Sequence, residues 1–165
     1  MIDMHAFTSI WYWLCVFGIW AIASHWIIGV PFDMIMRVRF GHEEAASDVV
    51  HLTHINARRL VFLHSYMGLW GAALTGFLLS LLGSLAVIYN LEMAQSLLFV
   101  FLPLLLVYYL NLRAAREVLT GETDATSIAR GYFRLRIWIQ LIAAVSIFCS
   151  AAFGMYVALM RPIGF

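Results

Sequence analysis

This chain of 165 residues contains no lysine, little charge and only two cysteines. Charged residues make up 12% of it, against about 25% in soluble domains, so a soluble fold is not expected. Cys15 and Cys149 form no Cys-x-x-Cys motif, so the sequence does not support an iron–sulfur or zinc-thiolate site. Gly-rich phosphate loops, Gly-x-Ser-x-Gly and His-Glu-x-x-His are also missing, and we expect no enzymatic activity. The net charge of +1 gives no nucleic-acid signature.

Four long apolar runs dominate the sequence, and none contains Asp, Glu, Lys or Arg. Hydrophobic residues make up 64% of the chain, and its mean hydropathy is +0.90. About 20 helical residues cross the roughly 30 Å hydrocarbon core of a bilayer, so each run is long enough to span it. We predict an all-α, integral membrane four-helix bundle that forms a single transmembrane domain over residues 1–165. The predicted spans cover residues 9–30, 60–89, 94–112 and 137–160.

Arginine is distributed unequally between the loops, which predicts the orientation of the chain. Nine of the ten arginines fall after the first or the third run, and the tenth is Arg161. The positive-inside rule then places the loops after the first and third runs in the cytoplasm and both termini outside, with a chance asymmetry as the alternative. No arginine precedes the first run, so a cleavable signal peptide is not expected. The nine arginines are Arg37, Arg39, Arg58, Arg59, Arg113, Arg116, Arg130, Arg134 and Arg136.

Two segments between the first and second runs are also expected to be ordered. Residues 32–40 mix apolar residues with Asp33 and two arginines, which suits a short stretch lying at the membrane surface. Residues 41–59 are interpreted as a polar helix that leads into the second span.

Small residues recur at every fourth position in the second and fourth runs. Such rows allow close helix packing, so we predict that these two helices form the centre of the bundle. Whether they pack on each other or on the first helix stays open. The predicted packing residues are Gly68, Ala72, Gly76 and Ser80 in the second run, and Ser150 and Gly154 in the fourth.

The third run has the opposite character. From Leu97 to Leu112 it contains no Gly, Ala or Ser, and Pro103 interrupts it. A bulky helix of this kind is expected to face lipid or a partner protein rather than to pack tightly inside the bundle. Phe99, Leu102 and Leu106 lie three to four residues apart and are the predicted partner-facing positions.

Two histidines lie inside the predicted spans at a similar depth. His25 is about 9 Å and His64 about 7.5 Å from the arginine-rich boundary, by helical rise. Facing imidazoles could ligate a tetrapyrrole, either haem b or bacteriochlorophyll, and Ala21 would leave room for the ring. The favoured alternative is hydrogen bonding to a carbonyl, Ser or Tyr with no cofactor; a proton relay or quinone contact is a third. His51 and His54 are interpreted as a solvated face rather than a metal site.

Several short stretches of the chain resemble a known group of proteins. They are Ser24–Met34 (SHWIIGVPFDM), Val145–Phe148 (VSIF) and Gly154–Tyr156 (GMY). The chain is similar here to small four-span proteins of alphaproteobacteria that often carry the label "component of SufBCD complex". This resemblance implies a bacterial inner membrane, accessory status and a link to iron–sulfur assembly. The residues contain no cysteine cluster to hold a nascent iron–sulfur cluster.

From these patterns we expect a non-enzymatic accessory or scaffold subunit that contacts lipid and docks onto a larger integral membrane complex. A respiratory or photosynthetic complex is the expected host, by analogy with other small accessory subunits. The alternative is a membrane cytochrome b or a pigment-binding protein that uses His25 and His64 as ligands.

Overall fold

Over the residues that the structure describes, the chain forms five helices, and a short hairpin of two strands joins the first helix to the second. The structure is a computed structural model that describes residues 9–40, 43–121 and 124–160, without the side chains of residues 26 and 43–45. Both termini, on which the predicted orientation bears, lie outside the described residues. The elements are α1 (Ile10–His25), β1 (Trp26–Ile27), β2 (Val30–Pro31), α2 (Phe32–Arg39), α3 (Glu43–Val87), α4 (Glu92–Thr120) and α5 (Ala125–Met160).

Three of these helices, α3, α4 and α5, are long and apolar enough to cross a membrane. The first apolar run differs from the expected span because its helix ends at His25 rather than at Val30. With 16 residues, α1 extends about 24 Å, less than the roughly 30 Å of a bilayer core. The chain is therefore helical and suited to a membrane, and its first apolar helix is shorter than a typical span.

The arginine-rich segments continue the long helices instead of forming separate loops. Helix α3 begins at Glu43, so the polar segment before the second run is helical, as expected. Helix α4 extends eight residues beyond Leu112, and α5 begins twelve residues before Ile137. These extensions carry the arginines on helix surfaces at one end of the molecule.

Local hydrogen bonds stabilise the turn between α3 and α4 and the start of α5. Asn90 has a φ of 50° in the turn between α3 and α4, a conformation that asparagine tolerates better than most residues. The Gln95 side chain closes this turn by donating to the Ala86 carbonyl at 2.9 Å. Asp124 precedes α5, where its carbonyl accepts from the Ser127 and Ile128 backbone N–H groups at 3.1 Å. These contacts satisfy backbone groups that a helix end leaves unpaired.

The structure corrects the expected order of the helices. Helix α4 lies between its two long neighbours: its most extensive contacts are with α3, followed by α5, whereas α3 and α5 contact each other much less. Helix α1 packs mainly on α5. The bulky third run is thus central among the three long helices. On α5, the small residues Ala143, Ser146 and Ser150 are buried.

Most of the buried core lies at the arginine-rich end. There the hairpin and α2 pack between the ends of α3, α4 and α5. The apolar parts of the long helices are far less covered, since 6% of the most apolar window of α3 is buried, against 22% for α4 and 17% for α5. The buried core at this end includes Ile27, Val30, Ile35, Val49, Thr53, Ala57, Ala115, Ile128, Tyr132 and Leu135.

Candidate functional site

The most distinctive local structure is the hairpin that follows α1. Ile27 pairs with Val30 and Trp26 with Pro31 in antiparallel register. The two residues of the turn, Ile28 and Gly29, have φ values of 50° and 70°. Two consecutive positive φ values match the two-residue hairpin turns that usually carry Asn-Gly. A β-branched residue is a genuine outlier there, so Ile28 holds the chain in a strained conformation.

Two asparagines hold this turn in place. The Ile28 backbone N–H donates to Asn111 Oδ1 of α4 at 3.2 Å. The Asn56 Nδ2 group of α3 donates to the Gly29 carbonyl at 3.0 Å. Ile27 and Val30 are fully buried beside the turn. The hydrogen bonds and the burial of apolar side chains together offset the backbone strain, and they tie the end of α1 to both α3 and α4.

Two cation–π pairs between arginines and phenylalanines connect α2 to α5. The Arg136 guanidinium lies 3.6 Å from the centre of the Phe32 ring. The Arg39 guanidinium lies 4.9 Å from the centre of the Phe133 ring. Such contacts stabilise by about 0.5–1 kcal/mol each at exposed sites. Two of the nine clustered arginines therefore have a structural role as well as a charge.

The two histidines predicted as tetrapyrrole ligands have different surroundings. His64 Nδ1 lies 3.2 Å from the Tyr108 hydroxyl of α4, a hydrogen bond of the kind favoured over a cofactor. His25 is the last residue of α1, the helix that packs mainly on α5. Among the described contacts, the partner of the His64 ring is Tyr108. Ligation of haem b or bacteriochlorophyll by His25 and His64 stays a prediction.

A cleft of about 900 Å³ lies between α4 and α5 at the arginine-rich end. Its walls are mainly apolar and include Leu106, Leu110, Trp138 and Ile142, while Arg113 and Arg134 lie at its polar edge. Arg113 Nε also pairs with Glu117 Oε1 at 3.1 Å. An apolar cleft of this size with a few charged groups fits the general character of small-molecule sites.

Most of the row of small residues on α3 lies uncovered by the described part of the chain. Gly68 is half-buried, whereas Ala72, Gly76 and Ser80 are exposed. A Cβ atom added at Gly68 or Gly76 would meet no described atom within 4 Å. The expected close approach of another helix at this row is therefore not made by the described part of the chain.

The row on α5 does lie against other helices. Ser150 is fully buried and Gly154 half-buried. Ser146, one turn before Ser150, donates to the Phe99 carbonyl of α4 at 2.7 Å. Hydrogen bonds of this type connect helices in membranes.

The predicted partner-facing positions of α4 separate into two groups. Leu102 and Leu106 are exposed, as a partner or lipid contact requires. Phe99 differs because its ring packs on Phe153 of α5, with 5.2 Å between the ring centres. The three residues share a helix face by spacing, but α5 covers one end of that face.

Asn56 and Asn111 were not predicted from the sequence as anchors of the hairpin. The available signal was Gly29 followed by Pro31 in the apolar segment after His25, since these residues often mark a turn. Nothing in the local sequence indicates which side chains would reach that turn.

No protein-family model, curated protein or solved structure matches this chain.

Proposed function

We propose that this protein is a non-enzymatic integral membrane subunit that docks onto a larger membrane complex through α3. The observation that carries the proposal is the uncovered apolar segment of this helix. Only 6% of its most apolar window is buried, and Trp70 is 78% exposed. In this proposal α1 is the fourth and shortest membrane helix, and lipid covers whatever surface the partner does not.

The small residues on the uncovered side of α3 favour a protein partner over lipid alone. Glycine destabilises a helix by about 0.5–1 kcal/mol relative to alanine, and lipid contact does not offset that cost. Close packing against another membrane helix does, because such helices associate through dispersion contacts between closely approaching backbones. Ala72, Gly76 and Ser80 lie on one face of α3, where a partner helix would fit.

The proposed setting is the inner membrane of a bacterium, with the arginine-rich end in the cytoplasm. Support comes from the nine arginines carried near that end, against one elsewhere. A respiratory or photosynthetic complex is the proposed host class, by analogy with small accessory subunits, and the analogy concerns association rather than mechanism.

The experiment compares two substitutions on α3. Gly76→Leu fills the proposed contact face, and no described atom lies close enough to a Cβ there to oppose it within the chain. Leu74→Phe is the matched control, since Leu74 is 60% exposed and lies about 160° away around the helix. Membranes are solubilised in mild detergent, and native gels measure the fraction of inserted protein that migrates with a large complex.

We expect Gly76→Leu to insert normally and to migrate mostly as the free subunit, while Leu74→Phe migrates like the parent. Co-migration of Gly76→Leu at the parental level would show that this face meets lipid. The docking surface would then have to be sought at Leu102 and Leu106 of α4.

A further inference from the structure

The cleft between α4 and α5 combines an apolar wall with arginines at one edge, and the proposed docking face on α3 does not use it. Along α4, Leu106 and Leu110 precede Arg113; along α5, Trp138 and Ile142 follow Arg134. The two helices run in opposite directions, so both sequences place the arginines toward the same end. From Arg113 to Leu106 is about 10.5 Å by helical rise, and from Arg134 to Ile142 about 12 Å.

This order matches the layers of one leaflet. Arginines suit the level of the phosphates, tryptophan the interface, and leucine and isoleucine the acyl chains. The cleft is also closed from within, because the hairpin residue Ile28 and the buried Tyr132 and Leu135 form part of its lining. A molecule in the cleft would contact protein on several sides, unlike a lipid lying on a convex helix surface.

We infer that this cleft binds one anionic phospholipid, with the phosphate at Arg113 and Arg134 and an acyl chain along Leu106 and Ile142. Two arginines and one glutamate, Glu117, lie in the lining, so the edge of the cleft is net positive. Glu117 pairs with Arg113 through one contact between exposed side chains, Oε1 to Nε at 3.1 Å. Such exposed pairs are weak, so a lipid phosphate can compete for the Arg113 guanidinium.

Gly131 supplies space near the charged edge. It lies in the lining of the cleft, one helical turn from Arg134, and a Cβ added there would meet no described atom within 4 Å. A larger side chain at this position would occupy the space proposed for the headgroup while leaving both arginines in place.

The test is a lipid titration of the purified protein in neutral detergent, followed by native mass spectrometry. The probes are phosphatidylglycerol and phosphatidylcholine with identical acyl chains, and inorganic phosphate as a competitor. Arg113→Gln with Arg134→Gln removes the proposed phosphate contacts. Arg116→Gln is the matched control, because Arg116 is exposed on the same helix and is not part of the lining.

We expect phosphatidylglycerol to bind more tightly than phosphatidylcholine. The double substitution should weaken phosphatidylglycerol binding by roughly 25-fold, about fivefold for each arginine. Arg116→Gln should change the affinity by less than about twofold. Gly131→Leu should also weaken phosphatidylglycerol, with an unchanged thermal midpoint showing that the protein is folded.

Three results would overturn the inference. Equal affinity for the two lipids would remove the role of charge, and an equal loss in Arg116→Gln would indicate general attraction to the arginine-rich end. Displacement of the lipid by inorganic phosphate would indicate a site for a free anion that makes no use of the apolar wall. Since none of these measurements involves a partner complex, the result is independent of docking through α3.

Discussion

Replacing Gly29 by alanine tests whether the hairpin after α1 is held as the structure describes. Gly29 has a φ of 70°, and a left-handed conformation costs a non-glycine residue roughly 1–2 kcal/mol. The added Cβ would lie 3.1 Å from Nδ2 and 3.2 Å from Cγ of Asn56. Asn56 would have to shift, although it donates to the Gly29 carbonyl.

The expected loss of stability follows from these contacts. Weakening the Asn56 hydrogen bond adds about 0.5–1.5 kcal/mol to the backbone cost. Alanine also reduces the conformational entropy of the unfolded chain, which offsets about 0.4–1 kcal/mol of this loss in stability. The net destabilisation is therefore about 0.5–3 kcal/mol, or a fall in the thermal midpoint of roughly 1–12 °C for a chain of this size.

The assay is thermal unfolding of the purified protein in detergent, with Gly18→Ala as the control. Gly18 lies inside α1, and a Cβ there would meet no described atom within 4 Å. Alanine should therefore stabilise that helix by about 0.5–1 kcal/mol. The two glycine-to-alanine changes should shift the midpoint in opposite directions. If Gly29→Ala is as stable as the parent, the strained turn and its asparagine contacts are not the arrangement in the membrane.

Three further outcomes can be measured. A reporter that works only in the cytoplasm should be active when inserted at Gly121 and inactive when fused after Phe165; the reverse would overturn the proposed orientation. Ser146→Ala should lower stability by about 0.6 kcal/mol, as for other hydrogen bonds between membrane helices, with no loss of insertion; a destabilisation several times larger would mean that this serine does more than bond α4. The purified protein should show no Soret band; a band lost in both His25→Ala and His64→Ala would establish the tetrapyrrole alternative instead.

Helical structure was predictable because it follows from local composition. Three long apolar runs correspond to α3, α4 and α5. In a membrane, a long run without charged residues can pair its backbone N–H and C=O groups by forming a helix. The residues around Asp33 were expected only to lie at the membrane surface, and the structure shows that they form the helix α2. The clustering of nine arginines could be counted directly from the sequence.

Helix order could not be predicted from the size of the side chains. Among the small residues predicted to mark helix contacts, Ser150 is buried, whereas Gly76 is exposed in the described part of the chain. A small residue permits a close approach and does not require one. The central position of α4 follows from its contacts with both α3 and α5, which is a property of the three helices together and not of any one of them.

The hairpin and the α4–α5 cleft depended on the tertiary structure for the same reason. A strained conformation at Ile28 persists only because Asn56 and Asn111 approach from two other helices. Arg113 and Arg134 share one edge only because α4 and α5 run antiparallel beside each other. Hydropathy and charge are properties of contiguous residues and could be read along the chain, whereas these contacts join residues that are distant in it.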